Sequence, residues 1–179
     1  DTDSDGVLTI EYKLADADDS AYTLTAPKNV GVYTIRISAP ETDKFKATYS
    51  TMTYKITPRD VTISEITVSG KIYDGNTYAE ITSDGVISGI VGSDKVSVVR
   101  GKANFDDKNV GVGKDVTFTE FAITGDDAAN YVLSVQPEAV TANITQKELT
   151  IAGLKVKDKP YDGKNTAEID GTPTLVGVV

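Results

Sequence analysis

A chain of 179 residues, 39% hydrophobic and 25% charged, has the make-up of a folded protein with room for one large domain or two small ones. Its 18 basic and 27 acidic residues leave a net charge of −9, which works against nucleic acid, because phosphate binding needs Lys and Arg to displace counterions. Histidine and cysteine are both absent, which removes thiol nucleophiles, histidine-based triads, most zinc sites and any disulfide staple.

The chain opens Asp1-Thr2-Asp3-Ser4-Asp5-Gly6, resembling the start of a calcium loop with its carboxylates at loop positions one, three and five. Such a loop also needs a bidentate glutamate at position twelve. Tyr12 stands there and Glu11 is one place off, so Asp1, Asp3 and Asp5 are weak metal candidates and a solvated acidic turn is expected. The acidic start is unlike the basic start of a signal peptide. No stretch approaches the roughly 18 apolar residues a membrane helix needs, so no membrane insertion is expected.

Strand-like sequence begins at Val7. Tyr33-Thr34-Ile35-Arg36-Ile37 and Thr51-Met52-Thr53-Tyr54-Lys55-Ile56 alternate with period two. Val61-Thr62-Ile63, Lys95-Val96-Ser97-Val98-Val99 and Val116-Thr117-Phe118-Thr119 are short, β-branched and bounded by Gly, Asp or Asn. Many short strands and almost no helical periodicity predict an all-β fold of antiparallel sandwiches.

Internal repetition sets the organisation. Ile56-Thr57-Pro58-Arg59-Asp60-Val61-Thr62-Ile63 returns 88 positions later as Ile144-Thr145-Gln146-Lys147-Glu148-Leu149-Thr150-Ile151. The same offset carries Lys71, Tyr73, Asp74 and Gly75 onto Lys159, Tyr161, Asp162 and Gly163, and Ala79-Glu80-Ile81 onto Ala167-Glu168-Ile169. A shorter echo links Asn29-Val30-Gly31-Val32 with Asn109-Val110-Gly111-Val112. We therefore expect a partial domain over residues 1–57, a complete repeat over 58–145 and the opening strands of a third over 146–179. The joints Thr57-Pro58-Arg59-Asp60 and Thr145-Gln146-Lys147-Glu148 lack the Gly/Ser composition of a flexible coil. Neighbouring repeats of the same chain are thus the expected partners. The incomplete ends also raise the prospect of strand exchange between molecules.

The acidic pairs Asp106-Asp107 and Asp126-Asp127 invite comparison with glycoside hydrolysis, which needs two carboxyls facing each other across a cleft. Adjacent strand residues point to opposite faces, so neither pair is expected to be catalytic. Gly111-Val112-Gly113-Lys114 lacks the spacing and the helix of a phosphate loop, and a β-turn is expected there. A Lys–Asn isopeptide lock would have Lys71 and Asn143 as its nearest candidates. The turn residues have structural explanations: Asp-Gly supports a tight turn, and the tyrosine beside it can bury its ring. Asp127-Ala128-Ala129-Asn130-Tyr131 has the spacing of a tyrosine corner, whose hydroxyl bonds back to upstream backbone. Phe45, at the corresponding place in the first unit, is expected to pack without that bond.

The run Lys71-Ile72-Tyr73-Asp74-Gly75-Asn76-Thr77-Tyr78-Ala79 resembles the signature of YDG repeats, which occur in tandem in bacterial adhesins and other surface proteins. The resemblance continues through Phe105–Lys114, Gly125–Tyr131 and the close Thr141-Ala142-Asn143-Ile144-Thr145. Residues 1–57 are similar to MBG-type bacterial immunoglobulin-like repeats, through Pro27, Gly31-Val32-Tyr33-Thr34 and Tyr54-Lys55-Ile56-Thr57. The resemblance implies tandem immunoglobulin-like sandwiches outside the cell, on a bacterial surface or secreted. It brings no catalytic residues and no cofactor. Tyr73, Asp74, Gly75, Asp127, Tyr131, Tyr161, Asp162 and Gly163 are then structural motif residues. The leading expectation is a stalk. Its rivals are repeats that themselves bind host glycan or protein, and an accessory domain of a secreted polysaccharide-active enzyme.

Overall fold

The computed structural model describes residues 7–179. Among the described residues the fold is all-β, and helix is confined to two single 3₁₀ turns, Asp19–Ala21 and Ala128–Asn130. The expected strands are present, in part with shifted ends. Gly31–Ala39 and Thr48–Ile56 extend beyond the expected segments, while the segment at Lys95 is strand only over Ser97–Val99. Two compact units emerge, one of Asp1–Thr62, Ile87–Ser97 and Ile123–Val135, the other of Ile63–Val86, Val98–Ala122 and Gln136–Val179.

In the first unit, Thr9–Leu14, Gly31–Ala39 and Thr48–Ile56 form an antiparallel meander. The register sets Ile10, Tyr12 and Leu14 against Ile37, Ile35 and Tyr33, and these against Ser50, Met52 and Tyr54. Because side chains alternate across a strand, these residues share one largely apolar face. Glu11, Lys13 and Arg36 fall on the other. There the Arg36 guanidinium bonds Glu11 at 2.9 Å and lies 3.8 Å from the centre of the Tyr22 ring. Tyr33 and Tyr54 pack with ring centres 5.8 Å apart.

The second unit holds the larger core. Lys102–Phe105, Gly111–Thr119, Ile144 with its strand Val140–Thr145, and Lys71–Ile72 form a four-stranded sheet. Ala103 faces Phe118 and Phe105 faces Val116 across one pair of strands. Along Gly111–Thr119, Val116 and Phe118 are buried, while Thr117 and Thr119 alternate with them and are exposed. Phe118 and Phe121 meet edge to face at 5.6 Å, an arrangement the ring quadrupoles favour. Ile63, Ile66, Ala79 and Ile81 complete this core.

Two pairings depart from the purely antiparallel expectation. Ile144–Thr145 runs parallel to Lys71–Ile72, and Tyr131–Val132 runs parallel to Arg59–Asp60. Parallel neighbours need a long crossover, and the chain between each pair supplies one. The β-turn expected at Gly111–Lys114 is instead a bulge inside a strand, with the register against Val140–Thr145 shifting between Gly111 and Lys114. Gly113 adopts φ +63° there, and its N–H donates to Asn143 Oδ1 at 2.8 Å, replacing the ladder bond the bulge removes.

The repeat at offset 88 extends to strand pairing. Thr62–Ser64 pairs with Val86–Ser88, and Thr150–Ala152 with Thr174–Val176. Thr67–Val68 pairs with Ile81–Ser83, and Lys155–Val156 with Ile169–Asp170. Even the bond from Ser69 N–H to Glu80 O recurs, as Lys157 N–H to Glu168 O.

Candidate functional site

The signature turn is built around one lysine. Lys71 Nζ donates to Asp74 Oδ1 at 2.8 Å, to Asn76 O at 2.8 Å and to Asn76 Oδ1 at 2.9 Å. Asp74 Oδ1 also accepts the Asn76 N–H, and Asn76 Oδ1 the Tyr78 N–H, so both side chains act as turn formers. Between them Gly75 sits at φ +81°, a conformation costly for a residue with a Cβ. The ammonium beside Asp74 holds its carboxyl below the usual range. All three donor positions of Lys71 are engaged and Asn143 Oδ1 serves the bulge, so the pair weighed for an isopeptide lock is committed to hydrogen bonds.

The second copy repeats this wiring except for the Asn76 side-chain bonds, since Lys164 stands at that place. Lys159 Nζ donates to Asp162 Oδ1 and to Lys164 O, both at 2.9 Å, while Lys164 N–H donates to Asp162 Oδ1 at 3.0 Å. Gly163 is again at positive φ, +69°. Tyr73 is half-buried and its N–H donates to Thr145 O, whereas Tyr161 is 99% exposed.

Tyr131 is buried, with hydroxyl partners that differ from those expected of a tyrosine corner. The hydroxyl accepts the Val91 N–H at 3.0 Å and donates to Asp94 Oδ2 at 2.6 Å. It therefore ties down a distant loop rather than the adjacent backbone, and the bond to the Asp94 carboxylate raises its pKa. Asp127 accepts the Lys95 N–H at 2.9 Å. A hydroxyl bond to nearby upstream backbone occurs instead at Tyr33, which donates to Asn29 O at 3.0 Å. Gly31 makes this possible: a Cβ there would stand 3.0 Å from the folded-back Tyr33 ring. The signal lies in the Asn-Val-Gly-Val-Tyr string, where the glycine two places before the tyrosine leaves room for its ring. Phe45 is 62% exposed rather than packed, because it lies in the loop after Ala39, outside the sheet.

Both acidic pairs are engaged with lysines or backbone at the surface. Lys114, only 11% exposed at its side chain, bridges Asp106 at 2.7 Å and Asp107 at 2.9 Å. Those contacts lower both carboxyl pKa values and raise that of the lysine. Asp126 pairs with Lys95 at 3.5 Å. The calcium candidates Asp1, Asp3 and Asp5 lie outside the described residues. Among the described residues no cluster of three or more acidic side chains could hold a metal ion. Nor is any helix long and apolar enough to cross a membrane.

The polar contacts of the Pro58 joint were not legible in advance. Only Thr57 and Pro58 separate the strand Thr48–Ile56 from Arg59–Asp60. Across this joint Asn130 Oδ1 accepts the Val30 N–H at 2.8 Å, and Asn130 Nδ2 donates to Asn29 Oδ1 at 3.4 Å. Asn29, Asn130, Arg59 and Tyr131 border a cavity of about 250 Å³.

Residues 57–140 match the family model of the YDG domain. No curated protein and no solved structure matches the chain. The segment from 57 to 140 is a YDG domain, a non-catalytic repeat.

Proposed function

We propose that this chain is a spacer: consecutive immunoglobulin-like sandwich repeats in the stalk of a bacterial surface protein. In this reading an MBG-like unit over 1–57 precedes the YDG repeat of 58–145, and 146–179 opens another. The observation that carries it is the Pro58 joint. A two-residue connection leaves little backbone freedom, and the Asn130–Val30 bond ties the loop before Gly31 to the loop before Tyr131. A stalk must resist bending at such points, and short, bonded joints supply that resistance where a Gly/Ser coil would not. The match over 57–140 supports the reading, since YDG units are non-catalytic repeats.

Residual dipolar couplings measured on the full chain test it. The sheet Thr9–Ile56 and the strands of 59–145 are expected to report one common alignment tensor. Asn130→Ala removes the clasp and is expected to separate the two tensors while leaving chemical shifts within each sheet unchanged. Two independent tensors in the unaltered chain would end the spacer reading.

A further inference from the structure

The Tyr73-Asp74-Gly75 turn has a neighbour that its own folding does not require. A Cβ on Gly75 would stand 2.8 Å from Val179 Cγ1 and 3.9 Å from Val179 Cβ. Tyr73 and Val110 border a cavity of about 450 Å³ whose other walls include Lys147, Leu149 and Val179. The signature turn and the Asn-Val-Gly loop of the YDG domain thus meet residues from both ends of the segment 146–179.

The same arrangement stands one joint upstream. The offset of 88 carries Arg59 onto Lys147 and Val91 onto Val179, and the loop echo carries Val30 onto Val110. Val30, Arg59 and Val91 line the cavity at the Pro58 joint. Each joint therefore sets an Asn-Val-Gly loop beside a basic residue and a valine from the next stretch of chain. At both, the valine keeps more than half its surface exposed, so the contact is one-sided at each joint. Two occurrences at equivalent positions are hard to assign to chance packing.

We propose that the face of the YDG domain carrying Tyr73, Gly75 and Val110 is its docking surface for the repeat that follows, with Val179 as the inserting side chain. The signature glycine then answers two demands: it accepts the left-handed backbone, and it leaves room for the incoming valine. The partner is an apolar valine and leucine edge with one basic residue beside it, as in 147–179. This inference rests on reading 146–179 as the opening of another repeat.

An introduced disulfide tests the contact in the full chain, which has no cysteine to compete. The Cβ separation of 3.9 Å for Gly75→Cys with Val179→Cys falls inside the range of about 3.5–4.5 Å that disulfides span. With oxidised glutathione as oxidant, this pair is expected to close within the molecule at least tenfold faster than Gly75→Cys with Tyr161→Cys. Equal rates, or closure only between molecules, would overturn the proposal. Because a side chain at φ +81° strains the turn, the unaltered chain supplies a second readout. Nuclear Overhauser contacts are expected between the Gly75 α-protons and the Val179 methyls, and their absence would overturn it equally. Failure here with a common alignment tensor across Pro58 would leave the spacer reading standing. Separate tensors with a closed disulfide would do the reverse.

Discussion

The two copies of the opening hairpins share strand pairing and the lysine–aspartate bonds of the turn, yet they differ in burial. Ile63, Ile66 and Ile81 are 5%, 5% and 6% exposed, whereas their counterparts Ile151, Leu154 and Ile169 are 67%, 60% and 56% exposed. The first copy lies against Ala103, Phe105, Val116, Phe118 and Ile144, all buried, and the second has no such layer among the described residues. Local sequence therefore suffices for the hairpin and the Lys-Asp-Gly turn, while desolvation comes from strands far along the chain. Two-stranded pairs alone are marginal in water. The energetic weight of the repeat must accordingly sit in the closing strands, not in the signature.

The sharpest way to break this comparison is to truncate the same residue in both copies. Ile81→Ala removes a buried side chain and opens a cavity, at a cost of about 2–5 kcal/mol. Ile169→Ala removes one already in water, and its cost is expected to stay within about 0.5 kcal/mol, the range of ordinary surface changes. Urea unfolding followed by the amide signals of Val116 and Phe118 measures both. Similar losses in the two variants would show that the second copy is covered after all.

Much of this was legible in the sequence. β-branched alternation identified the strands around Ile35, Met52 and Val116, and the offset of 88 identified the paired turns, because local spacing determines both. The parallel strands Ile144–Thr145 and Lys71–Ile72 were not legible, since period two gives a strand's faces but not its neighbour. The bulge at Gly113 hid for a related reason: a Gly-x-Gly string reads as a turn unless the partner strand is known. The Tyr131 hydroxyl was misdirected, because its acceptor, Asp94, lies in a loop with no sequence relation to it. Asn130 carried no signal at all. Its amide bonds a backbone N–H a hundred residues away.

A second contrast separates a shared lysine from a single pair. Lys114 holds two carboxylates, whereas Lys159 holds one side-chain carboxylate, that of Asp162. The pKa values of Asp106 and Asp107 are lowered by folding, with the Lys114 bond the largest cause for each. Their contribution to stability is thus complete above the unfolded carboxyl pKa of about 3.9. It is lost as the pH falls through the lower folded values. Lys114→Met keeps the apolar stem and deletes the charge. It is expected to lower the unfolding midpoint at neutral pH by less than Ile81→Ala does, and to flatten the acid limb of the stability curve below about pH 4. An unchanged acid limb would mean that the bridge contributes nothing in solution.

The smallest expected effect comes from one backbone position. Glu65 and its counterpart Gly153 both have positive φ, +61° and +74°, so the two copies demand the same left-handed turn and meet it with different residues. For a residue with a Cβ that conformation costs about 1–2 kcal/mol, whereas glycine accepts it and gives up about 0.5–1 kcal/mol of that advantage to chain entropy. Glu65→Gly is therefore expected to stabilise the YDG domain by about 0.5–1 kcal/mol. Glu65→Ala, equally strained, should leave the unfolding midpoint nearly where it was. The glutamate is exposed and makes a turn between Thr62–Ser64 and Thr67–Val68, so neither change removes core packing. If the glycine variant unfolds at lower denaturant than the parent, the turn is not strained. The glycine in the second copy would then reflect its exposure to water rather than a shared backbone requirement.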